Sequence, residues 1–163
     1  MIQPSTPEDT PQLVEIARGT GMFRAIELQA LLEVLDDYHA LAPGHAHRAF
    51  TLRKDDEPAG LVYYAPAAMT DRTWYLWWII VAKPWQGKGL GTALLRAAED
   101  DIRARGGRLL LIETSSLPLY EPTRAFYLGQ GYDQPCTIPD YYTDGDDLVV
   151  FARRLAPRET EGD

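Results

Sequence analysis

Between a run of apolar residues and a helical repeat, the chain carries Lys83-Pro84-Trp85-Gln86-Gly87-Lys88-Gly89-Leu90-Gly91. Glycines let a backbone approach an anion closely, and the unpaired N–H groups that open a helix point at it. No carboxylate follows in the first helical turn after Gly89. Acidic side chains are favoured there by the helix dipole, so their absence leaves the position open to an external anion. The loop is not a Walker motif, which needs Gly-Lys-Ser/Thr after four spacer residues. It is not a dinucleotide fingerprint either, because the third glycine position falls on Thr92 or Leu94. What it offers is Gln-x-x-Gly-x-Gly: Gln86, Gly89 and Gly91.

Two elements must position this loop. Before it, Trp74 to Val81 is aromatic and β-branched and reads as a buried strand. After it, Leu90, Leu94, Leu95, Ala98 and Ile102 recur at helical spacing up to Arg105, where Gly106-Gly107 stops the helix.

Size and charge limit the rest. The 163 residues, 45% hydrophobic and 25% charged, suit one domain with a substantial core. The longest apolar run, Trp74 to Ala82, is too short to cross a bilayer, and Met1-Ile2-Gln3-Pro4 has no signal-peptide core. Neither membrane insertion nor, at a net charge of −8, nucleic-acid binding is expected. An acidic surface suits either solubility or a cationic partner such as an amine. The single cysteine, Cys136, excludes an internal disulfide and fits a cytoplasmic location. It is expected to be a small buried residue.

In chain order, residues 2–5 read as a strand and Thr6-Pro7-Glu8-Asp9 as a helix start. A second helix is expected from about Ile26 to Leu41, with Leu28, Leu31, Leu32, Leu35 and Tyr38 on its apolar face. Ala49 to Leu52 and Gly60 to Tyr64 form a hairpin around Asp55 to Pro58. Arg108 to Ser115 is a strand, Pro122 opens a short helix, and Tyr132 to Ile138 and Leu148 to Leu155 are the last strands. Pro139 to Asp147 joins those two. Residues 1–157 are expected to form a single domain and 158–163 a polar tail. His39, His45 and His47 show no metal-ligand spacing and read as surface or loop residues, and no metal is expected.

A second motif lies downstream: Leu-Leu-Leu-Ile-Glu-Thr-Ser-Ser from Leu109, then Pro-Thr-Arg-Ala-Phe-Tyr-Leu-Gly-Gln-Gly-Tyr ending at Tyr132. Together with Gln86-x-x-Gly89-x-Gly91 and the order of elements, it resembles the GNAT superfamily of N-acetyltransferases over roughly residues 2–155. The resemblance implies an α/β (α+β) fold. Its sheet is mixed, mostly antiparallel and six- to seven-stranded, with about four flanking helices and splayed strands four and five. It implies acetyl-CoA as co-substrate and a primary amine, small or at a peptide N-terminus, as acceptor. It leaves a homodimer open.

Residue by residue, the resemblance gives Gln86, Gly87, Lys88, Gly89, Leu90, Gly91 and Thr92 to the pyrophosphate. Ile79, Ile80 and Val81 would line the pantetheine arm, with an amide near Ile80 or Val81 polarising the thioester carbonyl. Tyr127 occupies the family's general-acid position; read alone, it is more readily a packed core aromatic. Many members carry a glutamate on strand four, where this chain has Trp77 and Trp78. The replacement base is Glu113, a carboxylate in an otherwise apolar segment, or else water. Glu113 is equally readable as the residue that orders the following loop. Tyr120 stands where many members have a cofactor-binding asparagine. Phe23, Tyr64 and Tyr142 are the expected acceptor-binding residues, although such aromatics also serve hairpin packing. The departures at Trp77, Trp78 and Tyr120 keep one alternative open, an inactive module that binds or senses acyl-CoA.

Overall fold

The computed structural model describes residues 1–157; the expected polar tail, 158–163, lies outside the described residues. Seven strands form one sheet in the order β1-β2-β3-β4-β5-β7-β6. They are β1 (Ile2–Pro4), β2 (Arg48–Lys54), β3 (Glu57–Pro66), β4 (Thr73–Val81), β5 (Leu109–Ser115), β6 (Asp133–Thr143) and β7 (Asp146–Arg154). Four helices accompany them: α1 (Thr10–Thr20), α2 (Ala25–Ala40), α3 (Leu90–Ala104) and α4 (Glu121–Gly129). This is the mixed, mostly antiparallel architecture expected from the sequence. β4 and β5 are parallel, whereas β1–β2, β2–β3, β5–β7 and β6–β7 are antiparallel. The β4–β5 register runs from Thr73↔Leu109 to Leu76↔Ile112, so Ile79–Val81 lies past the last pair.

The chain divides into two compact units, Met1–Ala65 with Trp77–Ala98, and Pro66–Leu76 with Glu99 onward. In the first, Leu13, Val14 and Ala17 of α1 and Leu28, Leu31 and Leu35 of α2 are buried with Ala49, Leu61, Tyr63 and Ile80 of the sheet. The helical residues fall at intervals of three or four, the spacing that lines one face of a helix. The 3₁₀ turn Pro7–Asp9 that precedes α1, and α2 itself, each begin on a backbone amide satisfied by an acid three residues later. Thr6 N–H donates to Asp9 Oδ2 at 3.1 Å, and Arg24 N–H donates to Glu27 Oε2 at 2.7 Å. The first helical stretch starts with a 3₁₀ turn, Pro7–Asp9, before α1. Pro11, in the first turn of α1, has no N–H to give. In β3, Pro58 to Ala65 are all buried, as a strand covered on both faces requires.

In the second unit, alternate residues of β5 divide between two faces. Leu110, Ile112 and Thr114 are buried, whereas Leu111 and Glu113 are half-buried. The buried side holds a carboxylate, Glu99 of α3, with no exposed surface. Tyr132 Oη donates to its Oε1 at 2.8 Å, Arg153 Nη1 to the same oxygen at 3.3 Å, and Arg103 Nη2 to Oε2 at 3.5 Å. Pairing and hydrogen bonding together make a buried charge tolerable.

Two expectations require correction. Pro139 to Asp147 is not a connection, because β6 continues to Thr143 and a tight turn leads to β7 at Asp146. Proline is tolerated there since β6 ends the sheet order and needs no outward donor. The irregularity appears instead as a register shift between Ile138 and Thr143, with Asp140 at φ 54°. Cys136 is exposed rather than buried, as is every residue of β6.

Replacing Tyr132 with phenylalanine should lower the unfolding free energy by about 1.5–3 kcal/mol, the contribution of a hydrogen bond to a charged group. Urea denaturation would show this as an unchanged slope and a lower midpoint.

Candidate active site

The glycine loop is built in the first unit. After β4, Lys83–Trp85 makes one 3₁₀ turn. Gln86 then folds back, and its Nε2 donates to the carbonyl of Val81 at 2.8 Å. The side chain thus latches the loop to the end of the strand that precedes it. Gly87 and Gly89 have φ of 71° and 78°, in the left-handed region that side chains disfavour. No atom lies within 4 Å of where a Cβ would sit on either, so conformation rather than crowding demands glycine. The first bond of α3 runs from Ala93 N–H to Gly89 C=O at 3.0 Å. The N–H groups of the first turn of a helix point along its axis toward whatever lies before it. Lys88 Nζ sits 4.6 Å from the Trp85 ring centroid, and Lys54 Nζ 5.6 Å from it. Stacked on the indole, both ammonium groups are held beside the loop. Lys54, on β2, carries no motif and escaped the sequence reading.

Ile79, Ile80 and Val81 sit at the end of β4, with Ile80 in the core and its neighbours half-buried. Of the expected acceptor residues in this unit, Phe23 packs at 5.5 Å on Trp78. Tyr64 is fully buried and stacks parallel on Phe50, so its ring fills the core and offers no surface to an acceptor. Its neighbour Tyr63 instead meets His47, Oη to Nδ1 at 2.6 Å, beside Tyr38 and His45. The histidines therefore join an aromatic cluster, and His39 lies on α2 rather than in a loop.

The second unit holds Tyr127, Glu113, Tyr120 and Tyr142. Tyr127 is buried among Phe126, Tyr132 and Phe151, with ring centroids at 5.3–5.9 Å. Burial raises its phenol above the usual tyrosine range, so it stays protonated across physiological pH. Glu113 pairs with Val150 of β7, and Phe151 pairs with Ile112. By strand alternation, Glu113 and the ring that Tyr127 packs on lie on opposite faces of this part of the sheet. The structure thus does not bring Tyr127 and Glu113 together on one face.

Glu113 meets tyrosines instead. Tyr75 of β4 donates its hydroxyl to the Glu113 carboxylate, and burial followed by the Glu113 charge raises the Tyr75 phenol. Tyr142 is pushed up to about 12, first by burial and then by Glu113. Tyr120, half-buried at the start of α4, adds to the same effect on Tyr142. The loop after β5 has other supports. Arg124 Nη1 donates to the carbonyls of Ser115 and Leu117 at 2.7 and 2.9 Å, and Asp146 Oδ1 accepts from Ser115 Oγ and Ser116 N–H. Tyr75 was missed in the sequence because it reads there as one more aromatic of a buried strand.

The acetyltransferase (GNAT) family matches residues 20–132. The chain is similar to a GNAT-family protein from Desulfovibrio desulfuricans, with 32% identity and a TM-score of 0.90, over 96% of this chain and 99% of that one. The chain belongs to the GNAT family of acetyltransferases, enzymes that use acetyl-CoA as acetyl donor. Two further solved structures share the fold. One is an aminoglycoside 6'-N-acetyltransferase complexed with coenzyme A, at 19% identity and TM-score 0.77, over 98% of this chain and 99% of that one. The other is the ribosomal-protein-S18-alanine N-acetyltransferase from Escherichia coli, at 18% identity and TM-score 0.78, over 100% of this chain and 98% of that one. No curated protein matches the chain in sequence.

Gly89→Ala should cost about 1–2 kcal/mol, since the only penalty is the left-handed backbone. Chemical denaturation of the two forms, compared without ligand, measures it.

Proposed function

We propose that the protein transfers the acetyl group of acetyl-CoA to a primary amine by direct attack, with both reactants bound at once. The glycine loop carries this reading: two left-handed glycines, latched by Gln86 to the end of β4, feed a helix with no acid in its first turn. Such a turn presents backbone N–H groups to an anion. Gln86, Gly87, Lys88, Gly89, Leu90, Gly91 and Thr92 hold the pyrophosphate in this proposal. Ile79, Ile80 and Val81 take the pantetheine arm, and an amide near Ile80 or Val81 faces the developing oxyanion.

An alkylamine is mostly protonated at pH 7 and must lose a proton before it attacks. Glu113 removes it, directly or through water. Tyr127 delivers a proton to the departing thiolate, a role suited to a phenol that holds its proton at working pH. Acid and base then serve different faces, one for the incoming amine and one for the outgoing thiol. Phe23 and Tyr142 are acceptor-side residues in this reading, and Tyr120 lies beside Tyr142. Holding both reactants in place supplies much of the rate. The single cysteine and the acidic composition suit a reducing cytoplasm.

Calorimetry with acetyl-CoA should show binding by the wild-type protein and loss of it in Gly89→Trp, which blocks the loop. Thiol release should then accompany one or more amines in a panel of small amines, polyamines and peptide N-termini. Binding without thiol release from any acceptor would favour an acyl-CoA sensor. No binding would overturn both readings.

Tyr127→Phe keeps the ring packing and removes the proton. Turnover should fall about a hundredfold or more while the KM for acetyl-CoA holds. Unchanged turnover would exclude Tyr127 as the acid.

A further inference from the structure

Glu113 differs from the other sequestered carboxylates of this protein. Asp9 is paired with Arg53, Glu99 with Arg103 and Arg153, and Asp101 with Arg105. Buried Asp146 is held by the Ser115 hydroxyl and the Ser116 amide. Glu113 forms no ion pair among the described residues. Its surroundings are phenols: Tyr75 bonds to it, and Tyr142 feels its charge. A half-buried carboxylate without a cation is costly unless hydrogen bonds or an arriving cation compensate it.

Strand geometry explains why Tyr75 supplies the bond. Tyr75 pairs with Leu111 in the parallel β4–β5 ladder, and Glu113 lies two residues on, on the same face. A tyrosine is long enough to reach that diagonal neighbour. Cys136 and Tyr141 also face Tyr75, and Tyr141, Asp146 and Tyr120 face Tyr142, so the groups around the carboxylate are phenols, one thiol and a second carboxylate, Asp146, which is held by the Ser115 hydroxyl and the Ser116 amide. Asp146 Oδ1 is taken up by Ser115 and Ser116, whereas Glu113 is met by the Tyr75 hydroxyl, which makes Glu113 the carboxylate on this face placed to take a proton.

We propose that Tyr75 is a positioning residue for acetyl transfer: its hydroxyl holds the Glu113 carboxylate in place to receive the acceptor amine as an ammonium ion and take one proton from it. This rests on the acetyltransferase reading above. In the step, one N–H bond of the ammonium breaks and an O–H bond forms on Glu113. The nitrogen keeps the electron pair that then attacks the thioester carbonyl. The class of acceptor follows: an amine that arrives as a cation, met by aromatic walls and by a carboxylate that forms no ion pair among the described residues.

A double-mutant cycle of Tyr75→Phe and Glu113→Gln tests it on an amine that the wild type acetylates. Tyr75→Phe should lower kcat/KM for the amine about tenfold, the equivalent of one hydrogen bond to a charged group, and spare the KM for acetyl-CoA. It should also move the acidic limb of the pH–rate profile to higher pH. In the Glu113→Gln background the same change should have little further effect, because the carboxylate it positions is gone. Fully additive losses, or a Tyr75→Phe profile identical to wild type, would overturn the proposal and leave the acetyltransferase reading standing. A wild type that turns over no amine would sink that reading, and the proposal with it. A substrate-free measurement reads the contact alone. The NMR titration of the Tyr75 ring carbon bearing the hydroxyl should move to lower pH in Glu113→Gln, and an unmoved titration would show that the bond is absent.

Discussion

The parallel pairing of β4 with β5 spans four residue pairs, and the course of β4 beyond them leads into the glycine loop. From Thr73 to Leu76 the strand is locked to Leu109–Ile112. Past that point come Ile79–Val81, and then a turn that cannot form without left-handed backbone at Gly87 and Gly89. Gln86 ties this junction together by returning to the carbonyl of Val81.

A second constraint is the treatment of buried charge. Glu99 is fully enclosed and is held by Tyr132, Arg153 and Arg103, which ties α3 to β7 and to the residue that ends the second motif. Asp9 is held in the same way by Thr51 and Arg53. These carboxylates have all their charge compensated from within the chain and belong to the framework. Glu113 forms no ion pair among the described residues and meets phenols, whereas Asp146 and Asp147, also outside the ion pairs, are held by hydroxyl and backbone N–H donors. Chemical identity does not separate these residues; surroundings do.

Aromatic residues show the same division. Tyr64 and Tyr127 are both buried, yet Tyr64 stacks flat on Phe50 inside the sheet core while Tyr127 sits at the end of a short helix among tilted rings. Tyr75 and Tyr142 gather around a carboxylate, with Tyr120 beside Tyr142. Phe23 is placed by Trp78. No spacing rule in the sequence distinguishes these tyrosines, because each obeys the period of its own strand or helix.

Local chemistry was enough to determine the glycine loop, the strand before it and the helix after it. Glycine, proline and apolar period act within a few residues, and they also marked α1, α2, β2, β3 and β5. The family was legible for the same reason, in Gln86-x-x-Gly89-x-Gly91 and in the helix that carries Tyr127. The course of β6 was not. Pro139 argues locally for a break, and only the position of β6 at the end of the sheet makes proline harmless there. The exposure of Cys136 and the burial of Tyr64 follow from sheet position in the same way. Strand register alone put Tyr75 beside Glu113, and β7 alone set Glu113 and Tyr127 on opposite faces. Distant segments decide which groups meet, and the energy of a polar contact depends on that meeting rather than on sequence distance.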